Sequence, residues 1–305
     1  MRPYAAVLAG YYGFGNLGDD LLAEATVEML SREGINRSRM AVLSNDPAGS
    51  RLGIRAVNRW SPREVWNILG LSETLVLGGG GLFQDATSTR SCLYYWSLVK
   101  AARLRGVNVR AEGQSVGPLS TLIGRAAARN ALRSCRSVTV RDVPSQRLCS
   151  EMGVSAALTR DLVFILNDKI SAPIPASNAK FLINLRPWPG GLPMRFANSV
   201  RDGGISAYAP LLGVAMSDED EALMSRLVKV GDLPPMPIEH PRDLSEAAAL
   251  WSGAAGAAGM RLHFAVLSVM FGVGALVVPY DPKVTAFAEE NGLAVWGGGI
   301  GISVR

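Results

Sequence analysis

The sequence predicts two α/β domains in tandem, each built around a parallel β-sheet. Short and nearly continuous apolar segments alternate with helical segments along the chain, as in sheets that are covered on both faces. A chain of 305 residues with 48% hydrophobic residues is long enough for two domains of roughly 150 residues each. A segment rich in Pro, Ser and Asn, residues 167–180, predicts the linker between them.

The first half of the chain alternates predicted strands with predicted helices. The strands are expected over 4–10, 40–44, 73–77, 107–112 and 136–140, and the helices over 19–32, 62–69, 92–105 and 121–134. This alternation is typical of a parallel sheet whose strands are joined by helices. The first domain is therefore expected to span residues 1–168.

The second half repeats the pattern in a shortened form. Strands are expected over 180–186, in the apolar part of "ISAYAPLLGVAM" and over 274–279, with helices over 218–229, 243–251, 261–271 and 283–291. The segment between "NLRPW" and "ISAYAP" is only about 17 residues long, which leaves room for two or three helical turns around "MRFANSV". The second domain, 178–305, is thus trimmed, the linker lies at about 169–177, and a ligand is expected in a cleft between the domains.

Composition narrows the possible classes of function. A net charge of +5 and a pI near 9.3 suit an anionic substrate or an anionic membrane surface, but no run of Lys and Arg forms a nucleic-acid tail. Cys92, Cys135 and Cys149 have neither the number of a disulfide framework nor the spacing of a zinc site. We therefore expect a cytoplasmic protein with no nucleic-acid partner, no metal site, no signal peptide and no membrane span.

A glycine loop follows the first strand and opens the first helix. Its glycines have the G-x-G-x-x-G spacing, at Gly13, Gly15 and Gly18. A dinucleotide would place its pyrophosphate on the helix N-terminus, where Asp19 and Asp20 would repel it, and Asp46 lies too far along to bind a ribose. The loop is interpreted as presenting Asn16 and Asp19 to a hydroxyl-bearing ligand. In the alternative, the glycines only make a tight turn and the aspartates only cap the helix.

A second glycine cluster, residues 78–81, follows the apolar strand that ends at 77. At this end of an open α/β sheet, the bare amides around Gly79 and Gly80 would hold an anion or let a substrate lie against the main chain. Gln84 and Asp85 follow on the same rim. The alternative is a turn that packing alone requires.

Four cations and one histidine lie where predicted strands meet loops. Arg141 and Arg186 end strands, Arg261 and His263 open a helix, and Lys283 follows the last long strand. Taken alone, each cation would be interpreted as a surface residue, and the histidine as a core residue with its hydrogen bonds made. Together they suit a small, multiply charged anion, with His263 as a general acid or base.

A series of motifs in order resembles the polysaccharide pyruvyltransferase family, in particular its bacterial cell-wall type. The motifs are "GYYGFGNLGDD", "GGGGLFQD", "GQSVGPL", "VTVRD", "NLRPW", "GMRLH" and "YDPKV". The resemblance implies a GT-B-like fold, with two Rossmann-like domains whose parallel sheets face a central cleft. It also implies transfer of a pyruvyl group from phosphoenolpyruvate, as co-substrate without a further cofactor, onto two hydroxyls of one sugar.

The resemblance further implies partners and roles for particular residues. The acceptor in the best-known branch is a lipid-linked amino sugar containing N-acetylmannosamine, so a peripheral position on the inner membrane face is expected. The family's motifs imply that Asp19, Arg141, His263 and Lys283 are essential, with His263 and Asp19 assigned to catalysis and Arg141 and Lys283 to the donor. Arg261 and Arg186 are added to the donor residues as strand-end cations. The residues assigned to the acceptor or its loops are Asn16, Gly18, Gly79, Gly80, Gln84, Asp85 and Gln114. Two rival functions remain, a GT-B glycosyltransferase that uses a nucleotide sugar and an inactive scaffold homologue.

Overall fold

The computed structural model describes residues 2–86, 88–170, 179–203 and 209–298. The chain divides into two compact units. The first comprises Met1–Phe14 and Asp19–Leu166, and the second comprises Gly15–Gly18 and Asn167–Arg305. The predicted linker at about 169–177 lies outside the described residues except for its first two positions, and so do residues 204–208, where the segment "ISAYAP" begins.

The N-terminal half carries one parallel sheet, which has eight strands in the described residues. These are β1 (Tyr4–Ala9), β2 (Met40–Ser44), β3 (Arg55–Asn58), β4 (Ser72–Leu77), β5 (Gly80–Phe83), β6 (Asn108–Val116), β7 (Ser137–Val140) and β8 (Ala157–Leu158). Their order is β3-β2-β1-β4-β6-β7-β8, and β5 pairs with β6. The helices are α1 (Leu17–Arg32), α2 (Pro62–Gly70), α3 (Arg90–Leu104), α4 (Leu122–Arg133) and α5 (Val143–Glu151). Short 3-10 helices cover Arg37–Arg39 and Leu162–Lys169.

The C-terminal half carries a second parallel sheet, with six strands among the residues described. These are β9 (Phe181–Asn184), β10 (Leu211–Val214), β11 (Ile238–Glu239), β12 (Gly256–Gly259), β13 (Ala275–Val277) and β14 (Ala294–Val295), in the order β11-β10-β9-β12-β13-β14. The helices are α6 (Leu192–Asp202), α7 (Asp218–Val230), α8 (Leu244–Trp251), α9 (Leu262–Met270) and α10 (Pro282–Glu290).

Side chains at the helix starts explain where many of these helices begin. A Ser, Thr or Asp precedes α2, α4, α5, α7, α8 and α10 and accepts a backbone N–H of the first turn. Pro stands in the first turn of α2, α5, α6 and α10, where its missing N–H costs nothing. No helix within the described ranges is both long and apolar enough to cross a membrane.

The predicted class, α/β with parallel sheets, is confirmed. Each strand and helix with predicted bounds is present, with ends that differ from the prediction by up to four residues. Helix α6 supplies the turns expected around "MRFANSV", and β10 lies within the segment "ISAYAPLLGVAM". The short second domain therefore keeps a helix between β9 and β10.

Several elements were missed by the sequence prediction, and β12 shows why. This strand, "GAAG", pairs with both β9 and β13 near the centre of the second sheet, although it contains no β-branched residue. A Cβ on Gly256 would lie 2.7 Å from the ring of Phe181, and one on Gly259 would lie 2.6 Å from the ring of Phe264. Close packing of rings against the strand, rather than strand propensity, selects these residues.

Candidate active site

The predicted site residues follow the C-terminal ends of the strands. In the first unit Asp19 comes after β1 and Arg141 after β7, whereas in the second unit Arg186 comes after β9, Arg261 after β12 and Lys283 after β13. In a parallel sheet these ends lie at one edge, here called the carboxyl edge, which is the usual ligand side of open α/β sheets. Each unit thus gathers its predicted residues at its own carboxyl edge.

Asn16 fixes the start of α1. Its Oδ1 accepts the N–H of Gly18 at 3.1 Å, and the helix begins at Leu17. The carboxylate of Asp20 accepts the N–H of Gly13 at 3.1 Å and so closes the glycine loop. Asn16 thus stands directly before the helix, whereas Asp19 and Asp20 lie in its first turn, where carboxylates interact favourably with the helix dipole.

Asp19 and Gly80 lie together at the carboxyl edge of the first sheet. A Cβ built on Gly80 would lie 3.4 Å from Oδ1 of Asp19. Gly80 also has a φ of +113°, a conformation that side-chain-bearing residues rarely adopt. The structure therefore brings these two predicted residues into one place.

Packing explains the first two glycines of the second cluster. The hydroxyl of Tyr12 fills the space that a side chain on Gly78 would need, and a methyl group of Leu22 lies 2.7 Å from where the Cβ of Gly79 would stand. The N–H of Gly78 donates to the last carbonyl of β1 at 3.0 Å, and the last two glycines begin β5. The predicted nest of bare amides is therefore wrong for Gly78, and at both residues packing leaves no room for a side chain.

Asp85 is a structural residue and does not stand free on the rim. It is buried and accepts hydrogen bonds from the N–H and hydroxyl of both Ser120 and Thr121, at 2.6–2.9 Å. Burial alone would raise the pKa of this carboxyl, but the hydrogen bonds from Thr121 and Ser120 together lower it below its usual value. Gln84 accepts the N–H of Ala86 at 3.0 Å. Asp85 thus positions the loop that leads into α4.

Gln114 is fully buried in β6, under the glycine cluster. Its Nε2 donates to the carbonyls of Leu77, Gly78 and Glu112 at 3.1, 2.7 and 3.1 Å. These bonds tie the end of β4 to β6. Gln114 was predicted to line the acceptor site, but its side chain is buried. It holds the start of the glycine cluster in place by its hydrogen bonds.

Arg141 is buried and already paired. Its Nη1 lies 2.6 Å from Oδ2 of Asp161, and the two side chains are only 5% and 2% exposed. Its Nε donates to the hydroxyl of Ser115 at 2.8 Å, which in turn donates to Asp142 at 2.8 Å. The predicted donor-binding charge of Arg141 is thus neutralised by a carboxylate that the sequence analysis did not identify.

Arg261 is paired in the same way in the second unit. It meets the fully buried carboxylate of Asp220 through Nε at 2.9 Å and Nη2 at 2.7 Å, and Nη2 also donates to Ser217 Oγ at 2.8 Å. Its backbone N–H donates to Asn184 Oδ1 at 2.9 Å. A bidentate pair of this kind fixes the turn between β12 and α9.

His263 stands in the first turn of α9 and is half-buried. A Cβ on Gly18 would overlap its imidazole ring, and both residues belong to the second unit. The backbone supports this arrangement, since the N–H of Leu17 donates to the carbonyl of Met216 at 2.9 Å. Gly18, predicted as a loop residue, is therefore the residue whose missing side chain makes room for His263.

Arg186 is the predicted donor residue whose charge is not balanced by a carboxylate among the residues described. Its Nη1 donates to the hydroxyl of Tyr280 at 3.0 Å, its guanidinium lies 5.2 Å and 4.9 Å from the ring centres of Trp188 and Tyr280, and its buried Nε has no hydrogen-bond partner. Lys283 lies 3.2 Å from Asp281. The four predicted cations therefore differ in the charge they offer to an anion.

Sequence reasoning missed Trp188 and Tyr280, which flank Arg186. Both stand inside quoted motifs, "NLRPW" and "YDPKV", two or three positions from a cation that was identified. Their rings meet edge to face with centres 4.7 Å apart. The sequence therefore did contain a signal for these two residues, namely an aromatic residue shortly after each of two strands.

A group of three residues at the start of α7 and the end of β11 has the donor set of a metal site. The ligand atoms of Asp218, Glu221 and His240 lie within 4.8 Å of one another, and His240 Nδ1 is 3.1 Å from Glu221. The guanidinium of Arg242 lies 3.3 Å from Asp218 and competes with a cation for that carboxylate. The absence of a metal site stays a prediction.

Comparison with known families gives a match over most of the chain. The family model described as polysaccharide pyruvyl transferase matches residues 16–282. This range contains every predicted site residue except Lys283, which is the next position. A comparison with curated protein sequences finds no match.

Comparison with solved structures shows the fold. A protein from Klebsiella pneumoniae described as uncharacterised has a TM-score of 0.56 at 12% identity, covering 99% of this chain and 94% of that one. Staphylococcus aureus MnaA, solved with UDP, has a TM-score of 0.64 at 11% identity, covering 99% and 85%. The UDP-GlcNAc 2-epimerase of Methanocaldococcus jannaschii has a TM-score of 0.61 at 9% identity, covering 97% and 89%. These likenesses confirm the predicted GT-B-like fold.

Proposed function

The chain belongs to the polysaccharide pyruvyl transferase family, and from this premise we propose that it moves a pyruvyl group from phosphoenolpyruvate onto a sugar. The product is a cyclic ketal on two hydroxyls of that sugar. The observation that carries the proposal is the family match over residues 16–282, which includes strand-end residues of both sheets. The motif resemblance supplies the donor and the ketal.

The donor is a small polyanion, and Arg186 is the side chain best suited to receive it. Its Nε is buried and has no hydrogen-bond partner in the described ranges of the chain, so an anionic oxygen placed there would gain a charge-assisted hydrogen bond at little further cost. Lys283 adds a second cation, partly offset by Asp281 at 3.2 Å. Arg141 and Arg261 act by holding their loops, because buried carboxylates already balance them.

The reaction needs proton transfer and anion binding. Protonation of the donor's methylene carbon makes it a methyl group and leaves a cationic carbon, which a sugar hydroxyl attacks. Phosphate then leaves and a second hydroxyl of the same sugar closes the ring. Of the two hydroxyl protons, one replaces the proton given to the methylene and the other leaves with phosphate. His263 is assigned as the general acid, and Asp19 as the group that accepts a hydroxyl proton.

The acceptor is proposed to be a lipid-linked amino sugar. This follows the best-known branch of the family, whose acceptor contains N-acetylmannosamine and is a precursor of a wall polymer. A net charge of +5 is compatible with an anionic acceptor held at the inner face of a membrane. The enzyme would then work in the cytoplasm, in peripheral contact with that face.

The test is incubation with carbon-13-labelled phosphoenolpyruvate and a panel of lipid-linked and nucleotide-linked amino sugars. The expected result is phosphate release that depends on one acceptor, together with a new methyl signal of a ketal in the NMR spectrum. Reactions without acceptor serve as the control. Glycosyl transfer from a nucleotide sugar, with no use of phosphoenolpyruvate, would contradict the proposal and favour the glycosyltransferase. Lack of any turnover together with lack of donor binding would favour the scaffold.

A further inference from the structure

A cluster of aromatic rings lies at the carboxyl edge of the first sheet, after β1 and β3. Tyr11 and Phe14 stack with ring centres 4.0 Å apart and planes at 8°, and Phe14 meets Trp60 edge to face at 6.4 Å. These three residues are called the aromatic platform. Trp60 is 58% exposed, the largest exposure of an aromatic side chain in the described part of the chain. With Tyr11 also 46% exposed, the platform is an exposed apolar patch at the ligand edge of a sheet, and contiguous patches of this kind mark binding sites.

A buried arginine holds the platform in place. The guanidinium of Arg59 lies 5.1 Å from the ring centre of Phe14, 5.2 Å from that of Trp60 and 4.6 Å from that of Tyr94. Its Nη1 donates to the carbonyl of Gly10 at 2.6 Å. Cation–π contacts of a buried guanidinium are among the stronger ones. The rings are thus held rigid before any ligand arrives, which lowers the entropy cost of binding to them.

Polar groups lie beside the exposed indole. The side chain of Asn45 accepts the indole N–H of Trp60 at 2.8 Å and donates to the carbonyl of Gly13 at 3.2 Å. Asp46 follows, and both residues are exposed. An apolar ring face bordered by amide and carboxylate groups matches one chemical class well. A pyranose has C–H groups on its face, which pack against an aromatic ring, and hydroxyls at its edge, which bind amides and carboxylates.

We propose that the aromatic platform is a saccharide subsite, in which Trp60 stacks under a pyranose ring of the acceptor and Asn45 and Asp46 bind its hydroxyls. The inference deepens the proposed function and rests on it, because that function supplies a sugar acceptor. Trp60 acts on acceptor binding and takes no part in proton transfer.

A second exposed tryptophan provides a matched control. Trp66 is 42% exposed on α2, and its ring meets the guanidinium of Arg105 at 4.9 Å. It lies in the middle of the helix, away from the strand ends. Loss of either indole removes similar exposed surface, so a difference between the two variants reports the position and not the residue type.

The first experiment measures binding directly by saturation-transfer NMR. The probes are the methyl glycosides of N-acetylmannosamine, N-acetylglucosamine and galactose, together with UDP, each added to the wild type, Trp60→Ala, Trp60→Phe and Trp66→Ala. We expect at least one glycoside to bind the wild type and Trp66→Ala, to lose binding about 10–100-fold in Trp60→Ala, and to recover in part in Trp60→Phe. Glycoside binding that Trp60→Ala leaves intact, no glycoside binding to the wild type, or dependence of UDP alone on Trp60 would each overturn the inference.

The second experiment separates this inference from the proposed function. In the phosphate-release assay, Trp60→Ala is expected to raise the KM for the acceptor about 10–100-fold with little change in the KM for phosphoenolpyruvate. If the wild type releases no phosphate with any acceptor, the proposed function fails, and the NMR result alone then decides the saccharide subsite. If the wild type is active and Trp60→Ala has an unchanged acceptor KM, the subsite is wrong and the proposed function stands.

Discussion

At the carboxyl edge of the first sheet, Arg141 is closed in by Asp161 at 2.6 Å. At the carboxyl edge of the second sheet, Arg186 is surrounded by two aromatic rings and a tyrosine hydroxyl. Both arginines directly follow a strand in the sequence or nearly so, and both were predicted to bind the donor. The difference shows that the local sequence determines whether a cation lies at a strand end. Whether its charge can bind an anion depends on whether a carboxylate from elsewhere in the chain already pairs with it.

The two edges also differ in the chemical groups that they carry. The first edge combines Asp19, Gly80 and the aromatic platform, which are groups suited to a sugar with hydroxyls. The second edge combines His263, Arg186 and Lys283, which are groups suited to an anion and a proton. Under the proposed function, the groups at the first edge suit the acceptor sugar and the groups at the second edge suit the anionic donor.

The largest expected effect is at the second edge, where His263→Ala should lower turnover by roughly 10²–10⁴-fold, the usual contribution of a positioned acid or base. The affinity for phosphoenolpyruvate should change much less, because the cations remain. Steady-state kinetics and calorimetry of donor binding measure the two quantities. Near-normal turnover with weakened donor binding would make His263 a phosphate ligand and not the proton donor.

The next effect concerns folding and falls at the first edge. Asp161→Asn should reduce the free energy of unfolding by about 3–5 kcal/mol, because it leaves the buried guanidinium of Arg141 without its counter-charge. The double variant Arg141→Gln with Asp161→Asn should be less destabilised than the single one. Urea denaturation measures both. A single variant as stable as the wild type would contradict the view that Asp161 is the carboxylate that balances Arg141.

A smaller loss is expected for Asp85→Asn, about 1–3 kcal/mol at pH 7, since an amide cannot accept all four hydrogen bonds from Ser120 and Thr121. The pKa of Asp85 is lowered in the folded state, so its stabilisation is present above the usual carboxyl pKa and is lost as pH falls through the folded value. The urea midpoints of Asp85→Asn and the wild type should therefore differ at pH 7, and the difference should shrink as the pH is lowered through the acid range. Glu290→Gln, an exposed carboxyl, is the control. A difference that does not shrink at any acid pH at which the protein still folds would show that the carboxylate charge is not involved.

The smallest expected effect is that of removing divalent metal ions, which should leave the activity unchanged. If the second edge works without a metal ion, activity should be unchanged after treatment with EDTA. Assays with and without chelator, followed by addition of Mg²⁺, Mn²⁺ or Zn²⁺, measure this. Loss of activity that a divalent ion restores, and that His240→Ala abolishes, would instead assign Asp218, Glu221 and His240 as a metal site.

The sequence was sufficient for the parallel α/β class and for the placement of the site residues at strand ends. Short apolar segments indicate buried strands, and the amphipathic segments between them indicate helices that cover the sheet. This pattern is enough to predict a sheet with helices on its faces. It was not sufficient for β12, "GAAG", because the fit of Phe181 and Phe264 against its glycines is a tertiary property. The same holds for Gly78, which was predicted to be part of a nest of bare amides, because its N–H binds the carbonyl of Ala9 and its missing side chain makes room for Tyr12.

The sequence also did not predict which carboxylates pair with the arginines, because the partners lie far apart in the chain. Asp220 lies 41 residues before Arg261, and Asp161 lies 20 residues after Arg141. No local pattern distinguishes these carboxylates from those on solvated helix faces. Asp85 was likewise read as a rim residue, although its four donors come from a loop 35 residues away. The local sequence pattern thus predicted where the site residues lie along the strands. It did not predict which side chains they pair with.

The most direct test of the account is calorimetric titration of the full chain with phosphoenolpyruvate. Arg186→Gln is compared with the wild type and with Lys229→Gln, which removes an exposed cation in the last turn of α7. The wild type and Lys229→Gln should bind the donor alike, and Arg186→Gln should bind it at least about 10-fold more weakly, as expected for loss of one charge-assisted contact. Unchanged donor affinity in Arg186→Gln, with thermal stability also unchanged, would contradict the assignment of the donor to the second edge.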